Sequence, residues 1–324
     1  MFIVTGANGF IGSAMVSELN QRGHKDILCV DVVDLKERSE PLRSAQYSRF
    51  LTTSEFLEWS KVHFTSKDVT AVFHMGAISS TTETSWERLQ KNNIELSQTL
   101  FQLCHSWSAP LIYASSGAVY GDGSLGFGDT TDTSSLVPLN LYGKSKKEFD
   151  VWALEQKPCP PRWYGLRFFN VYGPNEYHKG DMASVAYKAF LQIKATGRLK
   201  LFKSHNPKYP DGGQLRDFVY VKDVTRWMWE VFENKKFPSG IYNLGYGQAR
   251  TWLDLANNVF SSMGLKTEIE WMDVPAHIRD QYQYFTEADM TKGRAAGLSK
   301  PTYPIEKGIA DYFKNYLLSD DPYL

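Results

Sequence analysis

Phe2-Ile3-Val4-Thr5 runs directly into Gly6-Ala7-Asn8-Gly9-Phe10-Ile11-Gly12, and Ser13 to Arg22 has helical character. A short apolar strand, three glycines spaced by three, and a helix make the most restrictive local instruction in the chain. The glycines permit a tight turn, close approach of the backbone to a diphosphate, and close helix–strand contact. The helix N-terminus offers unpaired N–H groups and the positive end of its dipole, so it favours an anion. Three glycines in a loop say little alone; after the first strand they predict dinucleotide binding.

The chain continues in the same rhythm. Ile27-Leu28-Cys29-Val30 reads as a second strand closed by Asp31, about where an acidic residue reads the adenosine ribose. The alternative is that Asp31 merely begins a turn. Lys36, Arg38 and Arg43 follow, and any of them could meet a ribose 2′-phosphate or remain a solvated surface charge. Val69 to His74 reads as a third strand. Met75-Gly76-Ala77-Ile78-Ser79-Ser80 after it is small enough to pass close under a cofactor, while His74 reads as a packed histidine rather than a catalyst. Trp86 to Leu103 predicts a long helix with Leu89, Asn93, Leu96, Leu100 and Leu103 on one stripe; Asn92 and Asn93 are the polar residues inside it. Pro110 to Ala114 is a fourth strand and Arg162 to Phe169 a fifth. Such alternation implies an α/β protein with a parallel, doubly wound sheet. Ligands bind such sheets outside the carboxyl ends of the strands, which gathers Gly6–Gly12, Asp31, Met75–Ser80 and Ser115-Ser116 on one rim.

Onto that rim the sequence adds Tyr142-Gly143-Lys144-Ser145-Lys146. If a helix begins at Asn140 or Leu141, Tyr142 and Lys146 stand at i and i+4 and share a face. A lysine ammonium beside a phenol favours the phenolate, lowers the tyrosine pKa and allows it to accept an alcohol proton near neutral pH. Taken alone the pair is an ordinary surface pair; the strand order and Ser116, whose hydroxyl could hold a substrate oxygen, give it its catalytic reading. Further on, Met182 to Lys194 and Thr251 to Met263 read as helices and Glu268 to Met272 as a strand, with no second glycine loop.

Bulk properties narrow the function classes. Acidic and basic residues balance at 36 each, so no basic excess argues for nucleic acid. Cys29, Cys104 and Cys159 show no paired spacing, which disfavours a disulfide framework and a zinc site; no metal is expected. No apolar run has the length of a membrane span and no signal-peptide pattern opens the chain, so the expectation is a cytoplasmic protein without membrane association.

The glycine loop, Ser116 ahead of Tyr142 and Lys146, and Arg167-Phe168-Phe169-Asn170-Val171-Tyr172-Gly173-Pro174 together resemble the extended short-chain dehydrogenase/reductase family. Arg216 to Val224 is similar to that family's returning segment and Tyr242-Asn243-Leu244-Gly245 to the strand after it. The likeness spans essentially the whole chain. It implies a Rossmann sheet with a smaller C-terminal α/β substrate domain. Residues 1–172, with returning segments at about 217–247 and 281–290, would form the dinucleotide-binding part. Residues 173–216, 248–280 and 291–324 would form the substrate part. Within the family, Ser79-Ser80-Thr81-Thr82-Glu83, His178-Lys179-Gly180-Asp181-Met182-Ala183-Ser184 and Tyr282 to Asp289 resemble the ADP-heptose 6-epimerase subgroup. Asp181, Lys188, Val32 and the longer stretch Ser204 to Leu215 depart from that subgroup's usual pattern.

Carried over by position, the resemblance implies Tyr142 as a catalytic acid/base, Lys146 as its activator and ribose contact, Ser116 as a hydrogen-bond partner of the reacting oxygen, and Lys179 as a second acid/base. Gly6, Gly9, Phe10, Ile11, Gly12, Asp31, Val32, Arg38, Met75, Gly76, Ala77, Ile78, Ser79, Asn92, Lys146, Val171 and Lys179 would touch the cofactor. Ser79, Ser116, Asn170, Asp181, Lys188, Phe202, Lys203, Ser204, Arg216 and Tyr282 would touch the ADP-sugar. The same resemblance leans to NADP, with NAD possible. It implies an ADP-heptose substrate for lipopolysaccharide core synthesis and a homo-oligomer, a pentamer by family. Inverting an unactivated carbinol carbon requires its transient oxidation, because the C–H bond is not acidic. The ketone must turn over before reduction, so two proton-transfer groups on different sides are a physical expectation. Lys179 is the candidate second group, against the competing reading that it neutralises a phosphate. By the same resemblance, the family's dehydratases follow this serine or threonine with an Asp-Glu pair; Gly117-Ala118 after Ser116 carry no acid, which argues against a dehydratase. A hexose 4-epimerase and a non-catalytic nucleotide sensor are the alternatives.

Overall fold

The N-terminal strand β1 (Phe2–Thr5) is buried along its whole length, as a central strand of a parallel sheet must be when helices cover both faces. It leads into α1 (Phe10–Gln21), β2 (Ile27–Asp31), β3 (Arg49–Thr52), α2 (Thr53–Val62) and β4 (Ala71–His74). Then α3 (Trp86–Leu89) passes through a π turn, Gln90–Glu95, into α4 (Leu96–Trp107), followed by β5 (Leu111–Ser116), α5 (Leu141–Glu155) and β6 (Trp163–Phe168). The remainder comprises β7 (Asn170–Tyr172), α6 (Val185–Thr196), β8 (Leu199–Phe202), β9 (Leu215–Arg216), β10 (Phe218–Tyr220), α7 (Val221–Glu233), β11 (Gly240–Leu244), β12 (Arg250–Thr251), α8 (Trp252–Ser262), β13 (Ile269–Met272), α9 (Thr291–Ala296) and α10 (Ile305–Tyr312). The structure, a computed structural model, describes residues 1–63, 68–275 and 283–324.

Among the described residues, seven strands form one parallel sheet in the order β11-β6-β5-β4-β1-β2-β3. The chain winds one way from β1 through β2 to β3, and the other way from β4 outward. The switch point lies between β1 and β4, where the ends Thr5 and His74 are paired neighbours, and this is the crevice where an open α/β sheet takes its ligand. One face of the sheet is covered by Met15, Val16 and Leu19 of α1 and Val224, Trp227 and Met228 of α7. The other is covered by Leu100, Phe101 and Cys104 of α4 and Phe149 and Ala153 of α5. Full burial of one such side chain contributes about 1.5–3 kcal/mol, whereas an exposed pair such as Lys61–Glu58 contributes about 0–1 kcal/mol. The two apolar faces therefore hold the sheet. A third core lies outside it, built from Phe190 and Ile193 of α6, Leu199 and Leu201 of β8, Val259 and Phe260 of α8, and Ile309 of α10. The short pairs β7–β10, β9–β12 and β8–β13 connect to this part.

Three features differ from the sequence reading. Strand β3 and helix α2 are additional, so the strands read as third to fifth are β4, β5 and β6. The predicted helix Trp86–Leu103 is broken by the π turn and runs on to Trp107, closed by Ser108 at φ 55°. Helix α1 begins at Phe10 rather than Ser13, which places Gly12 inside its first turn. Among the described residues no helix is long and apolar enough to cross a membrane.

Candidate active site

A cleft of about 670 Å³ opens along the carboxyl ends of the sheet. Its floor is the glycine loop. A Cβ on Gly12 would lie 1.9 Å from the Gly6 carbonyl oxygen, so helix and loop could not approach this closely with any other residue. Gly9 caps α1 without a side-chain hydrogen bond, and the first turn carries no acidic residue. The unpaired N–H groups therefore face the cleft without a competing anion. Asp31 ends β2 buried, accepting from the Asn8 N–H at 2.9 Å and the Val33 N–H at 3.1 Å. It pins the glycine loop to the turn after β2 and also lines the cleft. Of the three basic candidates, Arg38 lines the cleft and has a buried Nε without a hydrogen-bond partner. Arg43 is instead engaged with Asp321 and the Tyr323 ring. This donor set fits a dinucleotide.

The Met75–Ser79 loop is fixed from below. Asn93, buried in the π turn, accepts from the Ile78 N–H at 2.8 Å and donates to the Ile78 carbonyl at 3.0 Å and to Ser145 Oγ at 3.0 Å. Ser145 Oγ in turn donates to the Tyr142 carbonyl at 2.7 Å. One amide thus joins the Met75–Ser79 loop to the helix that carries Tyr142 and Lys146. Its neighbour Asn92 back-bonds to the Arg88 carbonyl at 2.8 Å and lines the cleft. His74 is buried, at 2.6 Å from Thr5 Oγ1 and 2.9 Å from Ser97 Oγ. Burial pushes its imidazole down to about 3, so it is a neutral packed residue, as the sequence suggested.

Helix α5 starts at Leu141 because Asn140 accepts the Gly143 N–H at 2.8 Å. Gly143 lets the helix settle against the turn after Ser116, since a Cβ there would meet the Ala118 carbonyl at 2.7 Å. Ser116 and Tyr142 consequently stand together on the cleft. The expected lowering of the tyrosine pKa by Lys146 is not met. Burial pushes the phenol above its ordinary value and Asp150 pushes it further, with only the Ser116 hydrogen bond pulling it back. Lys146 is buried too, and burial pushes its ammonium down to about 8 against the pull of Asp150. Asp150, one turn beyond Lys146, is fully buried and accepts from Ser115 at 2.8 Å, Tyr113 at 3.0 Å and Arg167 Nε at 3.1 Å. Arg167 also reaches Tyr120 and Thr133. This ion-paired network joins α5 to β5 and β6.

Facing this group, the segment Tyr177–Met182 carries Lys179 over the cleft, with its Nζ 5.6 Å from the centre of the Phe10 ring. Burial lowers its ammonium pKa, and Glu176 opposes that shift.

One cleft therefore brings together Gly6, Gly9, Phe10, Ile11, Gly12, Asp31, Val32, Arg38, Met75, Gly76, Ala77, Ile78, Ser79, Asn92, Ser116, Tyr142, Lys146, Asn170, Val171 and Lys179. Other candidates lie outside its lining. Arg216 is in β9, over the Trp252 ring at 5.6 Å. Phe202 closes β8, the Lys203 N–H bonds the Met272 carbonyl at 2.7 Å, and the Ser204 N–H bonds Asp211 at 2.6 Å. Asp181 is exposed, and its carbonyl receives the Lys188 ammonium at 3.2 Å. Tyr282 lies outside the described residues. Trp252, Phe218 and Tyr172 line the far end of the cleft and were not singled out in the sequence. Phe218 follows Arg216 by two, which was the available signal; Trp252 stands at the start of a helix and carried none.

The sequence profile of the NAD dependent epimerase/dehydratase family matches residues 2–245. The ADP-L-glycero-D-manno-heptose-6-epimerase of Nitratidesulfovibrio vulgaris strain DP4 is 46% identical over the full length of both chains. The crystal structure of ADP-L-glycero-D-manno-heptose-6-epimerase from Helicobacter pylori superposes with a TM-score of 0.79 at 27% identity, covering 97% of this chain and 95% of that one. The Thermus thermophilus UDP-glucose 4-epimerase complex with NAD superposes with a TM-score of 0.75 at 26% identity, covering 97% and 98%.

Proposed function

The chain belongs to the NAD dependent epimerase/dehydratase family, and on that premise we propose that it interconverts ADP-D-glycero-D-manno-heptose and ADP-L-glycero-D-manno-heptose by inverting C6. It is an epimerase that uses a nicotinamide dinucleotide. The observation that carries the reading is the presence of Tyr142 and Lys179 on the same cleft, each borne by a different element.

The glycine loop, Asp31 and the Met75–Ser79 loop would hold the dinucleotide, which would supply reversible hydride transfer at C6. The chain's own residues manage the proton. Ser116 holds the C6 oxygen beside Tyr142, and the phenol gives or takes the hydroxyl proton. Lys146, buried one turn along on the same helix, offers its ammonium to the phenolate as it forms, against the desolvation that raises the phenol in the resting site. After the ketone turns about the C5–C6 bond its oxygen points away from Tyr142, and Lys179 serves that second orientation. Burial favours this role, because a lysine whose ammonium is desolvated exchanges its proton more readily near neutral pH.

The cofactor is NADP in this reading, supported by Arg38, which lines the cleft with Asp31 and Val32 and has a buried Nε without a hydrogen-bond partner. Residues 173–216, 248–280 and 291–324 are read as the substrate part, with Arg216, Phe202 and Tyr282 near the nucleotide. A cytoplasmic homopentamer serving lipopolysaccharide core synthesis belongs to the same proposal. The test is interconversion of the two epimers by purified, cofactor-loaded protein without added NAD(P). Tyr142→Phe and Lys179→Met should each depress turnover by orders of magnitude with cofactor still bound. Failure of the loaded protein to invert C6 rejects the reading, and normal turnover of Lys179→Met rejects its two-base form.

A further inference from the structure

The segment that carries Lys179 is tied at both ends by one buried carboxylate. Glu176 has no exposed surface. It accepts from the Gly173 N–H at 3.2 Å, Ser184 Oγ at 2.7 Å and Tyr312 Oη at 3.1 Å, and also from the Ser184 N–H. Gly173 is where the chain leaves β7, Ser184 is the N-cap of α6, and Tyr312 ends α10. The loop 173–184 is therefore closed at its base by Glu176, and its crest holds His178 and Lys179 over the cleft. Two of its partners are backbone N–H groups, which only donate, and two are hydroxyls, which can donate or accept; burial raises the carboxyl pKa, and these hydrogen bonds oppose that shift. Among the described residues no salt bridge to it is formed. Glu176 acts on the Lys179 ammonium, raising its pKa against burial, and the Lys179 N–H also bonds the Glu176 carbonyl at 3.0 Å.

We propose that Glu176 is the positioning residue of Lys179: it closes the loop so that the lysine stands over the cleft, and it supplies the counter-charge that keeps the ammonium available as an acid. The inference rests on the reading of Lys179 as the second proton-transfer group and adds what sets its proton affinity. A buried lysine without a counter-charge loses its proton too easily to give one to a ketone. The carboxylate restores that affinity without occupying the cleft. The surroundings from other elements do not duplicate it. Phe10 of α1 presents only a ring. His178, beside Lys179, is pushed down to about 4 by burial, Arg38 and Lys179, so it is neutral; Glu40 acts on it in the opposite sense. Arg38 adds like charge from the turn after β2. Tyr187 of α6, Tyr312 of α10 and Tyr323 of the C-terminal segment are neutral phenols whose pKa values are pushed up. Lys188 is turned to the Asp181 carbonyl.

The test reads Lys179 directly, so its outcome is separable from whether the protein epimerises heptose. Amine-specific acylation of the full-length protein across a pH series, with Lys179 followed by peptide mass spectrometry, gives its titration. In Glu176→Gln the midpoint should fall by about one pH unit or more, and kcat should drop over tenfold with KM little changed. Ser184→Ala removes a loop tie and keeps the charge, so it should leave the midpoint in place. Superimposed titrations of native and Glu176→Gln protein overturn the proposal, even if activity is lost. Because coupling is mutual, Lys179→Met provides a second reading should Glu176→Gln fail to fold. The infrared band of a protonated buried carboxyl should then appear at higher pH than in native protein, and identical infrared titrations also overturn it.

Discussion

Replacing Asn93 by alanine should cost both stability and cofactor affinity, and the structure sets the size of each. The side chain makes three hydrogen bonds, two to the Ile78 backbone and one to Ser145 Oγ. A typical intramolecular hydrogen bond contributes about 1 kcal/mol net, and an orphaned buried group costs about 1–3 kcal/mol. Ile78 would lose partners for both its N–H and its carbonyl, while Ser145 keeps its bond to Tyr142. The expected loss is therefore about 2–4 kcal/mol. Urea unfolding of native and Asn93→Ala protein would read it as a lower midpoint with an unchanged slope. The Met75–Ser79 loop would have to be reordered on binding, so the cofactor should bind about tenfold more weakly, the equivalent of about 1.4 kcal/mol. Fluorescence titration with the dinucleotide measures that. A stability change under about 0.5 kcal/mol together with native affinity would refute the idea that this amide joins the cofactor loop to the catalytic helix.

Three further outcomes follow from the same geometry. Asp150→Asn leaves Arg167 buried without its counter-charge and should destabilise by about 3–5 kcal/mol, measured by denaturant unfolding; a loss below 1 kcal/mol would show that the ion pair does not hold the network under α5. Arg38→Ala should weaken NADP at least tenfold while leaving NAD nearly unchanged, read by parallel titrations; equal losses for both would remove Arg38 from the 2′-phosphate. His74 is held neutral, with a folded pKa of about 3 against an ordinary value near 6.5. The unfolded chain takes up the proton first, so this group's contribution is fully present above pH 6.5 and is lost as pH falls toward 3. The loss is about 2 kcal/mol at pH 5; His74→Gln should flatten the stability–pH curve between pH 6.5 and 5, and an unchanged slope would contradict this.

The parts of the site that were legible in the sequence are those that local chemistry dictates. The glycine loop, Asp31, Ser116 and the Tyr142–Lys146 spacing each follow from a backbone or helical constraint, and the fold carries them to one rim. The edge strand β3 was missed because four residues give too little alternation to read. The start of α2 was legible in principle: Thr52 and Glu55 form a capping box, each bonding the other's backbone N–H. The π turn has no sequence signature, so the division of labour between Asn92 and Asn93 could not be read. The phenol's raised pKa was missed for another reason. Pair spacing shows which charges meet, whereas desolvation depends on everything that covers them. Trp252 reaches the cleft only through the packing of the third core, which no local pattern announces.

The third core is assembled from separated lengths of chain: Tyr172 to Leu201, Phe218 to Tyr220, Leu255 to Phe260 and Ile305 to Phe313. Between them the chain returns to the main sheet to form α7 and β11. No cut at a single peptide bond can therefore release either core as an autonomous piece. The third core therefore cannot be exchanged or grafted as one contiguous cassette. Change of specificity in this architecture has to proceed residue by residue within an indivisible chain.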